Sequence, residues 1–254
     1  MAIKSVLKKI SVFILDIIFP IYCLGCGAEG KWICSECSEK IELLKKQACP
    51  VCGVESRTGA RCFNCRAKTE LDGVIAAAAY FGKERKESLV KKAIHIFKYR
   101  FVKDLAEPLA AVITRQLKNR QIAKPEKSII FGPYINDKII IPVPLHLKRF
   151  RWRGFNQADL LADNIAKYFD LPLEKSALAR RKNNIPQVEV RDRRERMKNI
   201  KDAFICVDGA KVKDKIVILV DDVATTSATL GECAKALKNS GAKEVWGVVV
   251  ARGG

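Results

Sequence analysis

Apolar positions near the start of the chain fall on a helical stripe. In residues 5–20, SVLKKISVFILDIIFP, Val6, Ile10, Phe13, Ile14, Ile17 and Ile18 share one face and Pro20 ends the run. The pattern predicts an amphipathic helix over 1–20 that packs on its own protein or lies on a membrane surface. Residues 21–68 then lack long apolar periods and are rich in Gly, Lys and turn residues. From Leu71 the texture changes. DGVIAAAAYFG (72–82) reads as a buried strand, and 87–100 and 103–120 read as two helices, the second with Pro108 near its start. A polar stretch leads to KIIIPVPL (138–145), a short apolar strand stopped by prolines. FNQADLLADNIAKYF (155–169) is helical, with Phe155, Leu160, Ala162, Ile165, Ala166 and Phe169 on one face. KIVILVDDV (215–223) is a continuous apolar strand ending in two carboxylates; a Thr/Ser-rich turn, a helix over 228–242 with Gly241 as its C-cap, and a last strand, EVWGVVVAR (244–252), complete the chain. Strands alternating with helices, some apolar throughout, predict an α/β fold: a mostly parallel sheet with helices on both faces. The expected division is a helix at 1–20, a cysteine-rich module at 21–68 and the α/β domain at 71–254.

Composition limits what such a chain can be. With 48% hydrophobic and 30% charged residues among 254, a core can be buried and wholesale disorder is excluded. The 15 Gly and 9 Pro are too few for collagen-like or low-complexity character. Lys and Arg number 47 against 28 acids, a balance of +19 that attracts nucleic acid, anionic lipid or phosphorylated small molecules without choosing among them. Lys4, Lys8 and Lys9 precede a short apolar run, but Asp16 interrupts it and no small-residue cleavage site follows, so no secretory signal is expected. No stretch approaches the ~20 apolar residues of a membrane span.

Eight of the ten cysteines form four CxxC pairs before residue 66: Cys23/Cys26, Cys34/Cys37, Cys49/Cys52 and Cys62/Cys65. Repeated CxxC knuckles present thiolates to a tetrahedral metal, which points to zinc and a reducing, cytoplasmic setting. Paired in order, Cys23, Cys26, Cys34 and Cys37 close one site and Cys49, Cys52, Cys62 and Cys65 a second; one site with spare thiols is the alternative. Gly25, Gly27 and Gly53 stand where knuckle turns need positive φ. Four thiolates leave no open coordination position, so the zinc is structural. Two such sites, each with a charge of −2, lower the balance to about +15. Cys206 and Cys233 lie in a predicted strand and helix, where isolated cysteines are small buried hydrophobes.

The segment Val217–Thr229, VILVDDVATTSAT, carries the most chemistry. Asp221 and Asp222 end a buried strand, where open α/β sheets bind ligands. The hydroxyl-rich turn after them opens a helix, whose N–H groups and dipole suit a phosphate. Carboxylates would repel that phosphate, so they face ribose hydroxyls or a bridging cation. The combination describes a pocket for a ribose 5-phosphate.

This segment resembles the 5-phosphoribosyl-1-pyrophosphate (PRPP) loop of type I phosphoribosyltransferases, except that Ser227 stands where that pattern has glycine. Ile141-Pro-Val-Pro-Leu-His146 and the following Arg151-Trp-Arg153-Gly154-Phe155-Asn156-Gln157-Ala158 resemble the signature of the ComF family. So does Arg180-Arg181 with Pro186, Gln187, Arg196, Asn199, Ala203 and Phe204. With the double zinc ribbon, the resemblance covers nearly the whole chain. It implies a type I phosphoribosyltransferase-like fold behind a small zinc-ribbon domain. It further implies PRPP with Mg2+ as ligand. Asp221 and Asp222 would be the catalytic carboxylates, and Ala224, Thr225, Thr226, Ser227, Ala228 and Thr229 the 5-phosphate loop. Lys148, Arg149, Arg151 and Arg153, beside His146, would form the pyrophosphate loop. Arg180, Arg181, Gln187, Arg196 and Asn199 would belong to a mobile hood. The acceptor is not legible. The chain begins Met-Ala-Ile, without an amino-terminal nucleophilic cysteine, so glutamine-dependent transfer is not expected.

The family's association with competence implies DNA uptake, with single-stranded DNA and other uptake proteins, a helicase among them, as partners. A second reading follows from it: a single-strand-binding accessory protein in which the PRPP pocket is vestigial or regulatory. The +19 balance and the aromatics interleaved with cations at Phe97–Phe101 (FKYRF) and Phe150–Phe155 (FRWRGF) suit that reading.

Overall fold

The computed structural model describes residues 20–81, 88–123, 137–181 and 200–253. The helix predicted over 1–20, Pro20 aside, and the predicted hood residues Gln187, Arg196 and Asn199 lie outside them. The chain falls into two compact units, Met1–Ile41 and Glu42–Gly254.

In the first unit the described residues form one knuckle, a short bridge between Tyr22 and Glu29, and the helix α1 (Ser35–Glu39). Among its described residues the buried apolar side chains are Cys23, Ile33, Cys37 and Ile41.

The second unit runs β1 (Gln47–Ala48), β2 (Glu55–Ser56), a 3-10 turn at Phe63–Lys68, β3 (Gly73–Ala79), α2 (Leu89–Tyr99), α3 (Ala106–Ala123), β4 (Lys138–Pro142), α4 (Leu147–Arg153), α5 (Gln157–Phe169), β5 (Leu178–Arg180), β6 (Phe204–Cys206), β7 (Ile216–Ala224), α6 (Ala228–Lys238) and β8 (Glu244–Arg252). Strands β3, β8, β7 and β4 form a four-stranded, wholly parallel sheet in that spatial order. The mixed α/β architecture expected from the alternating pattern is therefore present. Burial on both faces explains why these strands read as unbroken apolar runs. On one face Ile139, Ile141, Val217, Leu219, Val245 and Val249 pack with Leu230, Cys233 and Leu237 of α6 and Phe204 of β6. The intervening Ile140, Ile218 and Val220 are buried too, on the side taken by α3 and α5. Cys206 is partly exposed in β6 and Cys233 fully buried in α6, the latter a small hydrophobe as expected.

Some elements differ from expectation. The segment after β4, read as a strand-end loop, coils into α4, stopped by Gly154 in the left-handed conformation at φ +76. Helix α6 ends at Lys238 with Asn239 as its cap, and Gly241 (φ +92) closes the turn two residues further on. The antiparallel pair β5–β6 had no counterpart in the reading, because each strand is only three residues long.

The cysteine-rich residues of the second unit are joined to the sheet by backbone bonds. Leu43 bridges to Ala78, Ala60 to Gly73, and Gly59 C=O accepts from Val74 N–H at 2.9 Å. Gln47, only 3% exposed, acts as a strand residue through its side chain: Oε1 accepts from Ala76 N–H at 2.9 Å and Nε2 donates to Ala76 C=O at 3.0 Å. The approach is close enough to require glycine at 59, where a Cβ would lie 2.2 Å from Val74 O. From the sheet's side, Arg252 at the end of β8 donates to Ala48 C=O at 2.8 Å and Cys49 C=O at 2.9 Å.

Candidate functional site

The two cysteine quartets have nearly the same construction. In each, the four Sγ atoms lie within 4.8 Å of one another. Cys34 and Cys62 N–H donate to Cys23 and Cys49 Sγ at 3.4 Å, and the pairs Cys26/Cys34 and Cys52/Cys62 stand 3.7 Å apart. Burial opposes ionisation of Cys23 and Cys49. Backbone N–H groups, from Cys34, Cys26 and Gly25 in one and Cys52, Cys62 and Val51 in the other, outweigh it and hold each thiol at about 6. Burial and the surrounding thiols push Cys37 and Cys65 up to about 12. Four sulfurs this close ionise together only around a cation. The quartets fit two structural zinc ions, paired in sequence order.

The second site stands at the carboxyl ends of adjacent strands. β4 and β7 pair up to Pro142↔Val220, and Val143 N–H continues the ladder to Val220 C=O. The chain leaving β4 enters α4 and the chain leaving β7 enters the turn before α6, so the basic segment and the carboxylates meet by topology. Helix α4 divides the four predicted cations. Arg149 and Arg153, one turn apart and less exposed, are the two coupled to the carboxylates: Arg149's charge acts on Asp221, and Asp222's charge acts on Arg153. Lys148 and Arg151 are exposed. Lys148 still acts on His146.

The RGFNQ run holds this arrangement. Asn156 caps α5 through Ala158 N–H, while its Nδ2 donates to Val143 C=O at 3.0 Å and Asp159 at 2.8 Å. Buried Gln157 accepts from Arg153 Nη1 and donates to Phe97 C=O at 3.5 Å. Phe155 packs on Phe97, ring centroids 5.7 Å apart. One short motif thus ties α4, α5, β4 and the end of α2 together.

Charge in the site is unbalanced locally. Burial, then the charge of Asp222, pushes Asp221 up to about 7 despite Lys98. Burial and Arg149 weaken ionisation of Arg180. Burial, then Arg180, Arg149 and Lys148, lower His146; its Nδ1 accepts from Lys148 N–H, so the neutral ring presents Nε2–H as a donor. Four buried polar atoms here, His146 Nε2, Arg153 Nε, Arg180 Nε and Ser227 Oγ, have no partner among the described residues. Arg180 lies in β5 beside this cluster, and Arg181 is exposed just after it.

The turn between β7 and α6 places Thr225 exposed, Thr226 and Thr229 half-buried and Ser227 buried. Ser227 adopts φ 55, ψ 12, so the position does use the left-handed region and serine occupies it under strain. Thr226 Oγ1 accepts from Ala228 N–H at 3.3 Å, and α6 has no acidic residue in its first turn.

Lys98 is the residue that the sequence reading missed. Its Nζ lies 2.7 Å from Asp222 Oδ1. The available signal was position: Lys98 follows buried Val90 and Ile94 at successive intervals of four, a lysine on an apolar stripe.

The aromatic–basic runs split in two. Phe97 and Phe155 are core, whereas Tyr99, Phe101, Phe150 and Trp152 are exposed, Trp152 by 57%. Phe101 and Tyr99 lie 5.0 and 6.3 Å from the indole, and Arg153 stacks between Tyr99 and Trp152 at 5.9 and 5.8 Å.

Comparison with known proteins matches both regions of the chain to described families. A family described as a double zinc ribbon domain matches residues 14–66, and one described as a phosphoribosyl transferase domain matches 157–254. Competence protein F of Haemophilus influenzae is 31% identical over 224 residues, 85% of this chain and 89% of that protein. DNA utilization protein YhgH of Escherichia coli (strain K12) is 27% identical over 86% of this chain and 91% of its own. Competence protein ComFC of Bacillus subtilis is 25% identical over 82% and 79%. Among the described residues no helix is long and apolar enough to cross a membrane.

Proposed function

Because the chain belongs to the competence protein F (ComF) family, we propose that it binds PRPP at the carboxyl ends of β4 and β7 and serves the handling of incoming DNA in the cytoplasm. The observation that carries this reading is the cluster of Arg149, Arg153, Arg180 and His146, whose buried donors find no partner among the described residues, beside two carboxylates. Like charges held together in a partly dry site call for a polyanion, and the adjacent acids call for hydroxyls; PRPP carries both. Asp221 and Asp222 accept from the ribose hydroxyls. The turn at 224–229 and the start of α6 hold the 5-phosphate by N–H groups and dipole. Arg149 and Arg153 receive pyrophosphate, with Arg180 and the neutral His146 as further donors. Mg2+ accompanying PRPP supplies charge neutralisation for the leaving group. If an acceptor attacks C1, the C1–O bond to pyrophosphate breaks and the leaving group takes the bond's electron pair onto this cationic cluster. Calorimetry with PRPP tests the reading: one site per chain is expected, weakened by Asp222→Asn, and equal affinity in that variant gives the carboxylates another role.

A second reading has its own observation. The exposed Tyr99, Phe101, Phe150 and Trp152 with Arg153 form a surface on which bases can stack, and the +19 balance suits a phosphodiester chain. Single-stranded DNA is expected to bind with little sequence preference, log K falling by ~0.7 per phosphate neutralised as log salt rises. An oligonucleotide isotherm on the same preparation separates the two ligands, and undetectable binding at low salt removes this one.

A further inference from the structure

Strand alternation separates the two carboxylates of β7. Asp221 belongs to the α6 side, where its charge acts on the buried Cys233 thiol, whereas Asp222 meets Lys98 of α2 and the field of Arg153. They remain close enough for Asp222 to raise Asp221. Two crowded, largely buried carboxylates demand a positive charge, and at such strand ends a divalent cation is one way to supply it. Here a side chain already does so. Lys98 Nζ sits 2.7 Å from Asp222 Oδ1, with the lysine side chain 23% and the aspartate 9% exposed. Burial acts against the ammonium, but Asp222, and after it Asp221, more than compensate and hold it charged. Its position is fixed from two sides: Gln157 bonds the carbonyl of Phe97, the residue before it, and Phe97 is wedged on Phe155.

We infer that Lys98 stands in for a divalent cation at Asp222, so that this carboxylate meets the ribose without metal bound to it. An ammonium offers three donors and cannot chelate; it neutralises Asp222 while leaving the second oxygen able to accept a hydroxyl proton. On this assignment, which for its ligand rests on the PRPP reading, any Mg2+ required is held by the pyrophosphate alone.

The test uses the zinc-loaded full chain and two readouts. In a Mn2+ titration followed by electron paramagnetic resonance, the parent and Lys98→Arg should take up no Mn2+ at Asp222 at ~1 mM. Lys98→Met should gain one site per chain, at least ~10-fold tighter than any in the parent, and adding Asp222→Asn should abolish it. In calorimetry without and with Mg2+, the gain in PRPP affinity that Mg2+ brings should be more than ~10-fold larger in Lys98→Met than in the parent. A Mn2+ site in the parent that Asp222→Asn removes overturns the inference, and so does a Lys98→Met protein that folds and gains none. If Lys98→Met does not fold, Asp222→Asn in the parent decides: unchanged Mn2+ uptake supports Lys98 as the partner, a drop refutes it. PRPP failing to bind every variant while the Mn2+ pattern holds sinks the PRPP reading and leaves the Lys98 assignment standing.

Discussion

The two cysteine quartets share their local geometry and differ in their surroundings. Both place a glycine after the second cysteine, Gly27 at φ +79 and Gly53 at φ +77, and both donate its N–H back to the first cysteine's carbonyl. Cys34 and Cys62 enter the following helical turn with ψ 164 in each case. The loop between knuckles has seven residues in the first and nine in the second. That longer loop carries β2, which pairs with β1, and Gly59 and Ala60, which reach β3, and Gln47 and Arg252 add bonds from either side. Identical metal chemistry can therefore serve two purposes: the first quartet organises the described residues of its own unit, and the second helps complete a sheet.

The largest expected effect separates the quartets directly. Cys62→Ser should lose one zinc per chain and lower the main thermal transition by ~10 °C, since ~3 kcal/mol or more goes with it in a unit of this size. Cys34→Ser should also lose one zinc yet leave that transition within ~2 °C. Metal analysis beside calorimetric melting reads both, and equal shifts would erase the distinction. Arg252→Ala should follow, destabilising the second unit by ~2 kcal/mol through two lost charge-assisted bonds while zinc stays at two per chain. Zinc loss in that variant would mean that Arg252 builds the quartet instead of attaching it.

The carboxylates mark only the second unit, so pH sharpens the contrast. Asp221 is raised in the folded chain from the usual ~3.9 to about 7. The stability that it contributes is complete below ~3.9 and is lost as pH rises through about 7. Asp221→Asn should therefore gain on the parent in unfolding free energy by ~2 kcal/mol between pH 5 and pH 8. A pH-independent gap would place the burden elsewhere. The smallest effect concerns backbone. The knuckles use glycine at positive φ, whereas the phosphate turn uses Ser227 at φ 55; Ser227→Gly should stabilise by ~0.5–1 kcal/mol and tighten PRPP binding. Weaker binding would show that the buried hydroxyl is a ligand donor.

What was legible follows from the range of the interactions. The strands at 72–82, 215–223 and 244–252 could be read because both faces are buried, and the quartets because CxxC spacing is local. Lys98 was hidden among 47 cations, since its partner lies 124 positions away in β7 and pairing between a helix and a distant strand leaves no local pattern. Arg180 was read with a hood by resemblance to the family, whereas its own place depends on a three-residue strand. The attachment of residues 43–60 to β3 was equally silent: a side-chain amide completing a ladder at Gln47 looks, in sequence, like any glutamine.

That attachment governs how the protein can be divided. Strand β3 lies at the margin of the four-stranded sheet, and its outward N–H and C=O groups are taken by Gly59, Gln47 and Leu44. A fragment begun at residue 71 to isolate the α/β part would bare a continuous apolar margin, VIAAAA, ready to template pairing between copies. Residues 43–60 thus protect against aggregation, and a soluble minimal form would begin near Glu42 and carry its zinc with it.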